Sequence, residues 1–125
     1  MSEAKEKITD TELEVMQILW ETEAPMTLAQ IKAALSGRNG DTIKTLLRRL
    51  CQKGAVAQEN REVYYYRPLV GKEELGSYRI KKLIDRLYAG SAKALTATLV
   101  RTEQLKQHDL EELQEMFSSL WEEEK

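Results

Sequence analysis

A mainly α-helical chain with one small β-hairpin is predicted, on three observations. Apolar residues before position 55 fall into three clusters at helical spacing. Between Ala55 and Pro68 the pattern changes to aromatic and β-branched residues on either side of a polar turn. Beyond Gly71 helical spacing returns. With 125 residues, 42% apolar and 32% charged, the chain fits a compact domain of ordinary size. No apolar run approaches the roughly 18 residues that span a bilayer, and MSEAKEKITD lacks the apolar stretch of a secretory signal. A cytoplasmic protein without a membrane partner is therefore expected. Cys51 has no partner for an intrachain disulfide, and with His108 alone it cannot build a zinc site, so neither metal nor cofactor is expected.

Thr9, with Glu12 three residues on, is a capping-box signature that opens the first helix, with Leu13, Met16, Ile18, Leu19 and Trp20 as its apolar side and Ala24-Pro25 at its end. Met26-Thr27 starts a second, short helix with Leu28, Ile31, Ala34 and Leu35, closed by Ser36-Gly37. After Arg38-Asn39-Gly40 a third helix is predicted over about 41–53. Ile43, Leu46, Leu47 and Leu50 stand at i, i+3, i+4 and i+7, and Gly54 stops it. The hairpin strands are expected at 55–58 and 63–67 with the turn at 59–62, and Pro68 ends the second strand. Tyr78, Ile80, Leu83, Ile84, Leu87 and Tyr88 mark the next helix, and Ala92, Leu95, Leu99 and Val100 the one after it. The last, over about 108–123, carries Leu110, Leu113, Phe117 and Leu120, plus Met116 and Trp121. Such a stripe requires a partner helix.

Helix, helix, helix, hairpin is the order of a winged helix, in which the third helix enters the major groove and the hairpin is the wing. The charge distribution suits that assignment. Residues 30–55 hold Lys32, Arg38, Lys44, Arg48, Arg49 and Lys53 against Asp41, a net +5, whereas 102–125 hold two basic and eight acidic residues, a net −6. At about 100° per residue, Asp41, Thr45, Arg48 and Gln52 lie opposite the apolar side of the third helix, flanked by Thr42, Lys44 and Arg49. Thr42, Lys44, Thr45, Arg48 and Gln52 are the candidates for the groove, and Lys32, Arg49, Arg61 and Arg67 for phosphate. A solvated basic face is the blander reading of such a run, and a winged helix used only for protein contacts is the rival function. Three helices, a wing and this face together favour DNA. No nucleophile with a base, carboxylate pair or metal cluster is legible, so the chain is not expected to be an enzyme. Cys51 reads as a packed thiol and His108 as the start of the last helix. Tyr64, Tyr65 and Tyr66 read as strand, with Tyr65 outward, and Trp20 and Trp121 as core and interface anchors.

ITDTELEVMQILW at 8–20, DTIKTLLRRLCQKGAV at 41–56, VYYYRPLV at 63–70 and LYAG at 87–90 resemble the BlaI/MecI penicillinase repressors and their CopY relatives, bacterial winged-helix repressors, over nearly the whole chain. The resemblance implies a homodimer that binds a palindromic operator and represses transcription until a signal relieves it. Residues 1–70 are then the winged-helix DNA-binding domain and 71–125 the helical dimerisation domain. Leu83, Leu87, Leu95, Leu99, Leu113, Phe117, Leu120 and Trp121 are the expected dimer interface. In the family a signalling protease cuts an Asn-Phe bond, and the matching bond here joins Thr98 and Leu99, which differ in both residues. Two further departures matter. The chain ends in Ser119-Leu120-Trp121 and acids where CopY-like members carry Cys-x-Cys, so copper sensing through that motif is not expected. The family's usual Pro-Lys opening of the recognition helix corresponds to Gly40-Asp41. An acid there repels phosphate, yet it can accept from cytosine N4 or cap the helix. The wing is slightly shorter than usual and lacks the family's glycine.

Overall fold

The computed structural model describes residues 2–124. In chain order the elements are α1 (Ser2–Lys7), α2 (Asp10–Glu21), β1 (Met26–Thr27), α3 (Leu28–Ala34), α4 (Gly40–Gln52), β2 (Val56–Asn60), β3 (Tyr64–Pro68), α5 (Lys72–Leu87), α6 (Ala92–Arg101) and α7 (Gln107–Glu124). The predicted class holds, mainly α with a single hairpin. The short helix α1 and the two-residue strand β1 are additions to the sequence reading. Contacts divide the chain into two units, one running through Ile80 and the other starting at Lys81.

Local signals open the first helices. The Thr9 hydroxyl accepts from the Glu12 N–H at 3.2 Å while the Glu12 carboxylate accepts from the Thr9 N–H at 3.0 Å, the capping box that starts α2. Thr27 and Gln30 repeat the device at the start of α3. At α4 the structure corrects the sequence reading. Asn39, placed in the loop, is the N-cap and accepts from the Thr42 N–H at 2.8 Å, so Asp41 lies in the first turn and does not cap.

Ile43, Leu46, Leu47 and Leu50 of α4 are all buried, as their spacing predicts, against Val15, Met16 and Leu19 of α2 and Ile31 of α3. Val15 was absent from the predicted face of α2. It is fully buried, whereas Leu13, Ile18 and Trp20 are only half-buried around it. Ala4 of α1, Ile8, Leu75 of α5, and Met26, Val56 and Tyr66 of the sheet belong to the same core. The indole N–H of Trp20 donates to the Val70 carbonyl at 2.9 Å, Lys5 pairs with Glu74 at 2.9 Å, and the Arg79 guanidinium donates to the Ile8 carbonyl. The start of α5 is thereby tied to the first unit.

The sheet is antiparallel in the order β1-β3-β2, with Met26 opposite Tyr66 and Gln58 opposite Tyr66 on the other side. The hairpin is longer than predicted. Glu59 and Asn60, expected in the turn, pair with Tyr65 and Tyr64, and the turn is confined to 61–63. Polar residues fit this strand because its alternate positions face outward and accept them. Pro68 belongs to the strand as its last residue. Since β1 reaches only Tyr65 and Tyr66, the missing N–H of Pro68 faces no ladder on that side.

In the second unit, Ala89 and Gly90 take φ of 49° and 81° and close α5, with the Gly90 N–H donating to the Ile84 carbonyl. Ser91 caps α6 through the Ala94 N–H at 3.1 Å. Among its described residues none is fully buried, and Phe117 and Trp121 of α7 are 68% and 63% exposed. No helix among the described residues is long and apolar enough to cross a membrane.

Candidate nucleic-acid interface

With the apolar side of α4 pinned in the core, its opposite side is committed to solvent. Asp41, Lys44, Arg48, Arg49 and Gln52 are exposed, and Thr42 and Thr45 half-buried. The Thr45 hydroxyl donates to the Asp41 carbonyl at 3.0 Å, so part of its bonding capacity is used within the helix. Lys44 sits on the wing side, where it lines a groove with Leu28, Val63 and Tyr64. Arg49 and Thr42 sit on the α2 side, beside Thr9 and Thr11. Among the described residues no carboxylate pairs with Lys32, Lys44, Arg48 or Arg49, and their charges are open to a polyanion.

The other basic residues of the same stretch are engaged. Arg38 grips Glu14 with two hydrogen bonds, of 3.0 and 2.6 Å. That bonding holds the Glu14 carboxyl below the usual range and the guanidinium above it. Lys53, at the C-terminal end of α4, donates to the Glu12 carboxylate at 2.6 Å and to the Lys7 carbonyl at 2.7 Å. Glu12 is only 1% exposed. Burial pushes its carboxyl up, but bonds from Lys53 and the Thr9 N–H, with the charge of Lys53, outweigh this and hold it below the usual value. One glutamate therefore caps α2 and fixes the far end of α4.

The wing is less free than its sequence suggests. Arg61 and Arg67, both phosphate candidates, share the Glu59 carboxylate at 2.8 Å each, and the Arg61 guanidinium lies 4.6 Å from the Tyr65 ring centre. The Arg67 hydrogen bond is the main cause that lowers the Glu59 carboxyl. The ladder explains the cluster, since Glu59 stands opposite Tyr65 and Arg67 lies two residues along on the same face. Tyr66 is buried on the other face and Tyr64 is exposed.

Elsewhere, Thr98 and Leu99 are half-buried within α6, where the Thr98 hydroxyl donates to the Ala94 carbonyl and the Leu99 carbonyl accepts from the Gln104 N–H. The bond between them lies in regular helix. Of the interface candidates, Leu83, Leu87, Phe117, Leu120 and Trp121 are exposed, and Leu95, Leu99 and Leu113 half-buried. Cys51 is a half-buried free thiol, pushed up by burial, which suits packing better than reactivity. His108, in the first turn of α7, pairs with Glu112.

The family model for the penicillinase repressor matches residues 8–119. The chain belongs to the penicillinase repressor family. That family is one of transcriptional repressors, not enzymes. The chain is 27% identical over 114 residues to the penicillinase repressor of Bacillus licheniformis, spanning 89% of each. To that of Staphylococcus aureus it is 24% identical over 127 residues, covering 96% of this chain and 98% of the relative. A 73-residue match, 36% identical, relates it to the transcriptional regulator BlaI of Mycobacterium tuberculosis, over 55% of this chain and 53% of that one. The solution structure of the DNA-binding domain of the repressor BlaI is 29% identical over 54% of this chain and 87% of its own, with a TM-score of 0.48.

Proposed function

We propose that the chain is a cytoplasmic, homodimeric transcriptional repressor that binds a palindromic operator through α4. The observation that carries this reading is the unpaired, exposed set Lys44, Arg48 and Arg49 on a helix whose other side is locked in the core. A rigid helix presents base-reading forks in fixed register, and open charges displace the counterions of a duplex. Arg48 is assigned to a base edge, with Thr42, Lys44, Thr45 and Gln52 beside it, and Lys32 and Arg49 to phosphate. Arg61 and Arg67 contribute a weaker phosphate contact, since they share Glu59.

The N-terminal domain binds DNA in this reading and the helices after residue 71 dimerise, the start of α5 also packing on the DNA-binding core. Exposed leucines and aromatics in α5 and α7 support a partner of the same kind. Relief of repression is assigned to a signalling protease that cuts between Thr98 and Leu99. Because that bond is helical, cleavage requires local opening of α6.

Selection of bound sequences from a random duplex pool, followed by binding of the selected site at several salt concentrations, tests the reading. A palindromic site and a steep fall of affinity with salt are expected. Arg48→Ala is expected to cost about 1–3 kcal/mol and relax preference at one symmetric position. A salt slope near zero would favour the protein-contact module instead.

A further inference from the structure

We infer that Asp41 is a specificity-determining residue that selects cytosine in each operator half-site. The inference rests on the proposed binding of DNA through α4 and adds to it a reader that repels the phosphate backbone. An acid at this position has two uses, capping the helix or accepting from a base. The structure removes the first, since the Asn39 side chain occupies the N-cap and takes the Thr42 N–H at 2.8 Å. The Asp41 carbonyl accepts from Thr45, but among the described residues no ion pair or hydrogen bond engages its carboxylate, which is exposed. Asp41 stands one turn before Thr45 and two before Arg48 on the outward face, in the first turn of α4. That end of a recognition helix approaches base edges.

The chemistry of the groove selects the base. Guanine offers its N7 and O6 acceptors, thymine an acceptor and a methyl group, and adenine a donor beside the N7 acceptor that repels a carboxylate. Cytosine alone presents an amino donor with no acceptor of its own on its major-groove edge. Against guanine or thymine a desolvated carboxylate would face acceptors or a methyl group with no donor, and against adenine a donor flanked by the repelling N7, so Asp41 discriminates by penalty as well as by bonding.

The test applies pool selection to the full chain, to Asp41→Ala and to Asp41→Asn. The wild-type protein is expected to enrich cytosine at one symmetry-related position, and replacing that base to weaken binding by about 5- to 150-fold. Asp41→Ala should erase the preference at that position and keep the rest of the site, and Asp41→Asn should move it to adenine, which an amide bonds through N6 and N7. A pyrimidine lacking the N4 amino group, placed there, should weaken the wild-type protein and leave Asp41→Ala unchanged. If Asp41→Ala tightens every sequence equally and the cytosine preference persists, the acid only repels phosphate and the inference is overturned. A palindrome with no position that depends on Asp41 overturns this inference alone. A wild-type protein that enriches no sequence overturns DNA reading through α4 and this inference with it.

Discussion

The unit through Ile80 buries its own apolar side chains, and the unit from Lys81 does not. In the first, α1 to α4, the start of α5 and the sheet enclose Met16, Leu19, Ile31, Ile43, Leu47 and Leu50, each almost inaccessible to water. In the second, large apolar residues at helical spacing leave Leu87, Phe117, Leu120 and Trp121 mostly in solvent. Amphipathic spacing specifies a helix and one face of it, but what covers that face depends on how many elements the chain can fold around it. The first unit is expected to be stable alone, and the second to need an equivalent surface.

Core truncation should separate the units most sharply. Leu47→Ala should cost about 2–5 kcal/mol by cavity formation, seen as a lower urea midpoint at every protein concentration. Phe117→Ala should leave the first unit's unfolding unchanged and weaken the proposed homodimer by about 2 kcal/mol or more, seen in sedimentation equilibrium. Equal effects of Phe117→Ala on both measurements would erase the distinction between the units.

A smaller effect is expected at the capping residue that also holds α4. Glu12→Gln should cost about 1–3 kcal/mol, because the Lys53 ammonium loses its carboxylate. The folded Glu12 carboxyl titrates below its ordinary value of 4.5, so as pH falls the unfolded chain takes up the proton first. The stabilisation is complete above that pH and is lost as pH drops through the folded value. Urea midpoints measured from pH 7 to pH 3 should fall more steeply for the wild type than for Glu12→Gln.

The smallest effect belongs to the wing. Glu59→Gln should free Arg61 and Arg67 for phosphate and steepen the plot of log affinity against log salt by about 1. An unchanged slope would mean that the two arginines stay on the hairpin when DNA is bound.

What was legible in the sequence was local. The Thr9 and Glu12 capping box, the Ile43 to Leu50 spacing and the change of period near Ala55 are each contained within a few residues, and each stands in the structure. The α5, α6 and α7 helices were read the same way, but helical spacing carries no record of what lies across from it. The free and the engaged cations could not be separated. A charge count treats Lys53 and Arg48 alike, yet Glu12, 41 positions away, takes the first, and Arg38 is taken by Glu14 across 24 positions. β1 escaped notice because two residues carry no periodicity, and Asn39 because its loop neighbours Arg38 and Gly40 drew the helix start one residue late.

The most direct test compares one half-site with two half-sites about 34 Å apart, for the full chain and for residues 1–80. The full chain is expected to gain about 10²- to 10⁴-fold from the second half-site, while residues 1–80 remain folded, bind one half-site and gain nothing from the other. A truncated protein that gains as much as the full chain, or a full chain that gains nothing, would contradict this expectation.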